Sequence, residues 1–285
     1  MATGIGQRIE MNDLDRLNPE SRFTEFLTGV AKLTVTASLM RDVVQDAMRQ
    51  ARRLDANLDQ ETLALTGGYS AGYSFGFFRA DSGKRVSAGM IEHTADDKVR
   101  ELALAGNFAQ SWLLATAYEL YESLLFDLHA KAERCEICLP IAGNTARSRK
   151  PEKMLEAFRS AFPTMLIQEE RYRNGVDLSL VPATAAALRH RIVHRQGTTE
   201  DRLKVAKDVV QRCQQSGVSR TERVVLEFIA PYFGTNDHQH TVVMSSRPIQ
   251  FERMPTYYLP LDDLLQLLAA QGHLIATWLE RKITD

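Results

Sequence analysis

The ten residues from Leu188 to Gly197 hold Arg189, Arg191 and Arg195 together with His190 and His194, two of the seven histidines in the chain. These side chains can do proton and phosphate chemistry. An imidazole titrates near neutral pH, so it can take or give a proton. A guanidinium stays charged and presents a planar fork of donors to phosphate oxygens. Cleavage of RNA by its own 2′-hydroxyl needs a proton acceptor, a proton donor and a cation for the charge on the phosphorane. Such a scheme calls for no cofactor and no metal. One copy of the stretch supplies few groups; a symmetric dimer would supply two of each.

Two other readings of the same residues stand beside this one. His190 and His194 are four apart and share a helix face, a spacing found at zinc sites. Arg191, however, stands where a zinc hydrolase needs glutamate, and three arginines repel a dication. The second alternative is structural. Cations in a last helical turn complement the helix dipole, and Arg189 can pair with a carboxylate such as Glu119.

The elements that must position these residues read as helices. Pro182 suits a helix start and Gly197 a helix stop, so a helix is predicted over 183–195, with Ala185, Leu188 and Ile192 as its core stripe. Three-four spacing from Phe23 to Leu54 predicts a long amphipathic helix. A second long helix is predicted over 97–132, apolar on several sides and therefore covered by neighbours, with Glu119 and Glu122 in its middle. A carboxylate there needs a partner if buried, and arginine is the obvious one. Helices over 151–162, 200–215 and 261–283 follow from Pro151, from Leu203, Ala206, Val210 and Cys213, and from the leucines after Leu261. Residues 164–180 are mixed, with Glu169 and Glu170 facing Arg171 and Arg173.

Two segments break the helical pattern. Residues 66–89 carry six of the 16 glycines, interleaved with Tyr69, Tyr73, Phe75, Phe77 and Phe78. They read as a mobile aromatic loop near a ligand, or as a connector or short hairpin whose aromatics pack on the helices. Over 216–258, the runs Val224–Phe228, Thr241–Met244 and Ile249–Phe251 are short and β-prone, which predicts a small strand-containing insertion. His238 and His240 alternate there as on a strand face, without a third ligand. Cys135 and Cys138, with His129, make half a zinc site, so a zinc-binding regulator is a third functional reading. The basic loop Gly143–Lys153 reads as a solvated charge run.

Bulk properties narrow the classes. With 35 Lys and Arg against 36 Asp and Glu, net charge is −1, so coating of duplex nucleic acid has no overall electrostatic support. A hydrophobic content of 44% allows a substantial core. No apolar run approaches the ~20 residues of a membrane span. Three cysteines and a polar lead-in fit a cytoplasmic location without disulfides.

The run Arg189-His190-Arg191-Ile192-Val193-His194 resembles the signature of the HEPN superfamily (higher eukaryotes and prokaryotes nucleotide-binding). That signature is Arg, a polar residue that is commonly Asn, Asp or His, three further residues, then His. The order of helices agrees, and the resemblance covers 97–282. It implies an all-α fold, an antiparallel helical bundle with the strand-containing insertion at 216–258. The bundle would occupy 97–285, with 1–96 contributing the first long helix and the Gly/aromatic connector. It further implies a homodimer with both motifs at one interface, and metal-independent endoribonuclease activity. Members serve as toxins, antiviral-defence components or RNA-processing enzymes, some with an antitoxin partner. By the same resemblance Arg189 would hold the scissile phosphate, His194 would act as general acid or base and His190 would assist. Glu119 would position Arg189, while Arg191 and Arg195 would contact RNA. Other HEPN proteins are non-catalytic nucleotide- or protein-binding modules, which is the alternative function.

Overall fold

The computed structural model describes residues 18–66, 68–137, 150–234, 240–245, 247–251 and 254–285. Helices dominate them, and strands are confined to two antiparallel hairpins. The all-α class holds. In chain order the elements are α1 (Pro19–Ala51), α2 (Gln60–Thr66), β1 (Ser70–Phe78), β2 (Arg85–Thr94), α3 (Ala95–Arg134), α4 (Pro151–Ala161) and α5 (Pro163–Glu170). Then come α6 (Val181–Arg195), α7 (Arg202–Gln215), α8 (Glu222–Ile229), β3 (Arg247–Phe251), β4 (Met254–Tyr258) and α9 (Pro260–Thr284).

The chain divides into two compact units, Ala37–Ala109 and a larger one made of the residues before and after it. The division falls at 36/37 and 109/110 rather than at 96, and α1 and α3 contribute residues to both units.

In the smaller unit the glycine- and aromatic-rich stretch forms the β1–β2 hairpin, the second of its two readings from the sequence, rather than an open loop. Its register runs from Ser70 opposite Thr94 to Phe78 opposite Arg85, with a bulge between Ser74 and Phe75. The aromatics at its tip do not pack inward: Phe78 is 72% exposed. Tyr69 lies under the Lys98 ammonium, 5.6 Å from the ring centre. Thr94 and Asp97 cap α3 reciprocally. The Asp97 N–H donates to Thr94 Oγ1 at 3.2 Å, and the Thr94 N–H donates to Asp97 Oδ2 at 3.1 Å.

In the larger unit α1 lies antiparallel to α3. Phe26 meets the Tyr121 ring edge-on, and Arg22 reaches Asp127 at 3.7 Å. One face of α3 is buried through Leu114, Tyr118, Tyr121, Leu125 and Leu128. The opposite face is more open: Trp112 and Phe126 are 42% and 45% exposed, against the expectation of an enclosed helix. On α9, Gly272 permits close approach, because a Cβ there would stand 2.9 Å from Leu124 Cδ2. Gly272→Val is therefore expected to overpack this contact and lower stability by roughly 1–3 kcal/mol. A urea-unfolding midpoint equal to wild type would contradict the tight seat.

Helix limits follow the sequence signals closely, with two corrections. Val224–Phe228, read as a strand, lies within helix α8. Thr221 accepts a hydrogen bond from the Val224 N–H, and Val225 and Ile229, four apart, turn to the core. Tertiary burial at helical spacing overrides the β propensity of two adjacent valines. The segment 164–180, left mixed, is mostly ordered turns and helix: Pro163 stops α4 and opens α5. The insertion does carry strands, as β3 and β4 pair from Arg247 opposite Tyr258 to Phe251 opposite Met254. Thr241 and Val242 form only isolated bridges, to Thr198 and Phe233.

A polar network sits inside this core. Arg159 of α4 and Glu169 of α5 are both buried and pair through two bonds, 2.8 and 3.2 Å long. Arg159 also donates to the carbonyl and hydroxyl of Ser216, and Gln271 of α9 donates to Glu169 at 2.8 Å. The Tyr121 hydroxyl closes the chain by donating to Gln271. Glu170 turns the other way, to Arg220.

No helix among the described residues is long and apolar enough to cross a membrane.

Candidate functional site

Helix α6 changes character along its length. All eight residues from Val181 to Leu188 are buried, and the four alanines among them let neighbouring elements come close. From Arg189 onward only Ile192 stays in the core, and the charged residues emerge. The last turn exits through Gln196, which adopts a left-handed conformation at φ 52°, followed by Gly197 at φ 79°. The Gly197 N–H bonds back to the Arg191 carbonyl at 3.0 Å, and the Gly197 carbonyl accepts the Val242 N–H at 2.8 Å. The 240–243 segment thus pins the exit of the helix that carries the histidines.

Within one chain the charged residues fall into two groups. Arg189 donates to Glu119 Oε1 at 2.8 Å, and its guanidinium lies 6.0 Å from the centre of the Tyr118 ring. The pairing foreseen from the sequence is present, but Glu119 is a surface carboxylate, 60% exposed, rather than a buried one. Arg189 keeps 31% of its side chain exposed, and its Nε has no hydrogen-bond partner among the described residues. The second group is His190 and His194, both exposed, with ring centres 4.7 Å apart.

The remaining two arginines point elsewhere. Arg191 is only 12% exposed and lies 3.9 Å from Asp208 of α7. Arg195 is solvated and 3.5 Å from Glu200. Beyond Asp208 the network continues, since Arg212 donates to Asp208 at 3.0 Å and to Glu152 at 2.6 Å. These three line a cleft of about 380 Å³ with Lys150, Gln211 and Gln215. Sequence reasoning missed Asp208, Arg212 and Glu152. Asp208 and Arg212 at i,i+4 on a predicted helix were the available signal.

The electrostatics follow from this arrangement. Partial burial, then the positive neighbours His194 and Arg191, hold His190 below the ordinary histidine value, while Asp208 pulls the other way. Burial raises the half-buried Glu122 carboxyl above the usual range; Arg189 opposes this, while Glu152 and Glu119 add to it. The sign for His190 yields a test. Removing the charge in Asp208→Asn should move its titration further down, and His194→Ala should move it up. Imidazole NMR shifts against pH report both, and a shift in the reverse sense for either variant would refute the assignment.

Two of the metal readings turn on residues that are not among the described ones. Cys138 and His238 lie outside the described residues. Among the described ones, no group of three or more His, Cys, Asp or Glu side chains is placed to hold a metal ion. Cys213 is buried, and burial pushes its thiol up to about 11, so it serves as core.

Searches of the chain against protein-family models, curated proteins and solved structures find no match.

Proposed function

We propose that this chain is a metal-independent endoribonuclease of the HEPN type, working as a homodimer in a toxin or antiviral-defence role. One observation carries the reading: the exposed end of α6 presents two adjacent histidines and, on the neighbouring face, an arginine oriented by Glu119 and Tyr118. Arg189 is anchored on one side and open to solvent on the other, as a phosphate-binding guanidinium must be. His190, held below the ordinary value, is largely neutral at neutral pH and suited to accept a proton.

In this scheme the 2′-oxygen attacks phosphorus and its proton passes to an imidazole. The bond to the 5′-oxygen breaks, and a second imidazole protonates that leaving oxygen. Arg189 offsets the charge that builds on the non-bridging oxygens. Arg189 and His194 are five apart and point about 140° away from each other on the helix. The dimer supplies what one chain separates, the arginine of one subunit serving beside the histidines of its partner.

Purified protein incubated with RNA in EDTA should yield fragments ending in 2′,3′-cyclic phosphate and 5′-hydroxyl. Intact RNA after incubation with folded, partner-free dimer would overturn the proposal in favour of a non-catalytic binding module.

A further inference from the structure

At the other end of α6, about 20 Å of helix away from the histidines, a separate cavity opens between α5, α9 and the start of α1. It encloses about 590 Å³, within the range of small-molecule sites. Phe23, Tyr172, Leu178 and Leu274 give it apolar walls, and Ala269 and Ala270 leave room along α9. Arg171, Arg173, His273 and Gln168 supply charged and polar groups, and no carboxylate lines it.

The lack of carboxylate is built into the fold. The acids nearest in sequence are committed elsewhere: Glu169 to Arg159, Glu170 to Arg220, and Asp177 to Arg220 and Ser179. Arg171 and Arg173 therefore face the cavity without an ion-pair partner among the described residues. The Phe23 ring meets His273 edge-on at 5.1 Å, which fixes one wall. An apolar chamber with two uncompensated guanidiniums matches a ligand of opposite polarity and similar build.

We propose that this cavity binds a small organic anion: an aromatic or aliphatic body against Phe23, Tyr172 and Leu274, and a phosphate or carboxylate at Arg171 and Arg173. The assignment does not depend on the ribonuclease reading. The full chain is titrated with 8-anilinonaphthalene-1-sulfonate, and its fluorescence is followed. Arg171→Glu combined with Arg173→Glu should weaken binding at least about tenfold, and Ala270→Trp, which fills the chamber, should remove it. Both arginines are exposed, so the double variant tests the site even where the tryptophan disturbs folding. Displacement then identifies the class. AMP against adenosine tests an aromatic phosphate, and decanoate against decanol tests an aliphatic carboxylate. Displacement by either anion but not by its neutral counterpart supports the proposal. Unchanged probe affinity in the folded double variant, or equal displacement by neutral and charged competitors, overturns it.

Discussion

Arg159→Ala is expected to destabilise the larger unit by roughly 3–5 kcal/mol, the usual cost of leaving one member of a buried ion pair without its partner. The Arg159 and Glu169 side chains are 2% and 0% exposed, so water cannot replace the lost guanidinium. Glu169 would retain one hydrogen bond, from Gln271, for a full negative charge. The Ser216 carbonyl and hydroxyl would lose the same donor. Domains of this kind hold about 5–15 kcal/mol in total, so the variant should unfold far earlier in urea. A double variant, Arg159→Met with Glu169→Leu, removes both charges and should recover most of the loss. A single variant within about 1 kcal/mol of wild type would show that the pair contributes no more than a surface bridge.

His194→Ala should abolish RNA cleavage while leaving the fold intact. Removing a general acid or base typically costs a factor of about 10²–10⁴. The ring is exposed and lies beside that of His190, so truncation creates no cavity. The loss should appear in kcat more than in KM, because the imidazole acts in the transition state while Arg189 remains to hold phosphate. Arg189→Ala should raise KM as well. Glu200→Gln, near the solvated Arg195, serves as a control and should leave turnover unchanged. Equal kcat in His194→Ala and wild type would remove this histidine from any mechanism.

Much of the fold was legible because apolar spacing and stop signals agree. Pro151, Pro163, Pro182 and Gly197 stand at or next to helix limits, and the stripe Ala185, Leu188 and Ile192 is buried as its period requires. The failure at Val224–Phe228 arose because five residues cannot separate a buried strand from one face of a short helix. The Arg159–Glu169 pair was hidden for a different reason. Glu169 has three arginines within reach in sequence, and only the packed core selects Arg159 over Arg171 and Arg173. At the candidate site, the His190–His194 juxtaposition follows from helical period alone. Burial of Arg191 against Asp208 does not, since it depends on how α7 packs beside α6.

The buried polar network also bears on the order in which the chain can mature. Tyr121 and Gln271 are 150 positions apart, and the amide that bridges Tyr121 to Glu169 comes from α9. A nascent chain that has exposed α1 through α8 can pair Arg159 with Glu169, yet the Tyr121 hydroxyl and one carboxylate oxygen still wait for their amide. Synthesis must pass residue 271 before that interior closes. Helix α6, whose buried half packs against α9, gains its final support at the same moment. For a chain proposed to cut RNA, this delays a firmly held α6 until α9 has been synthesised and docked.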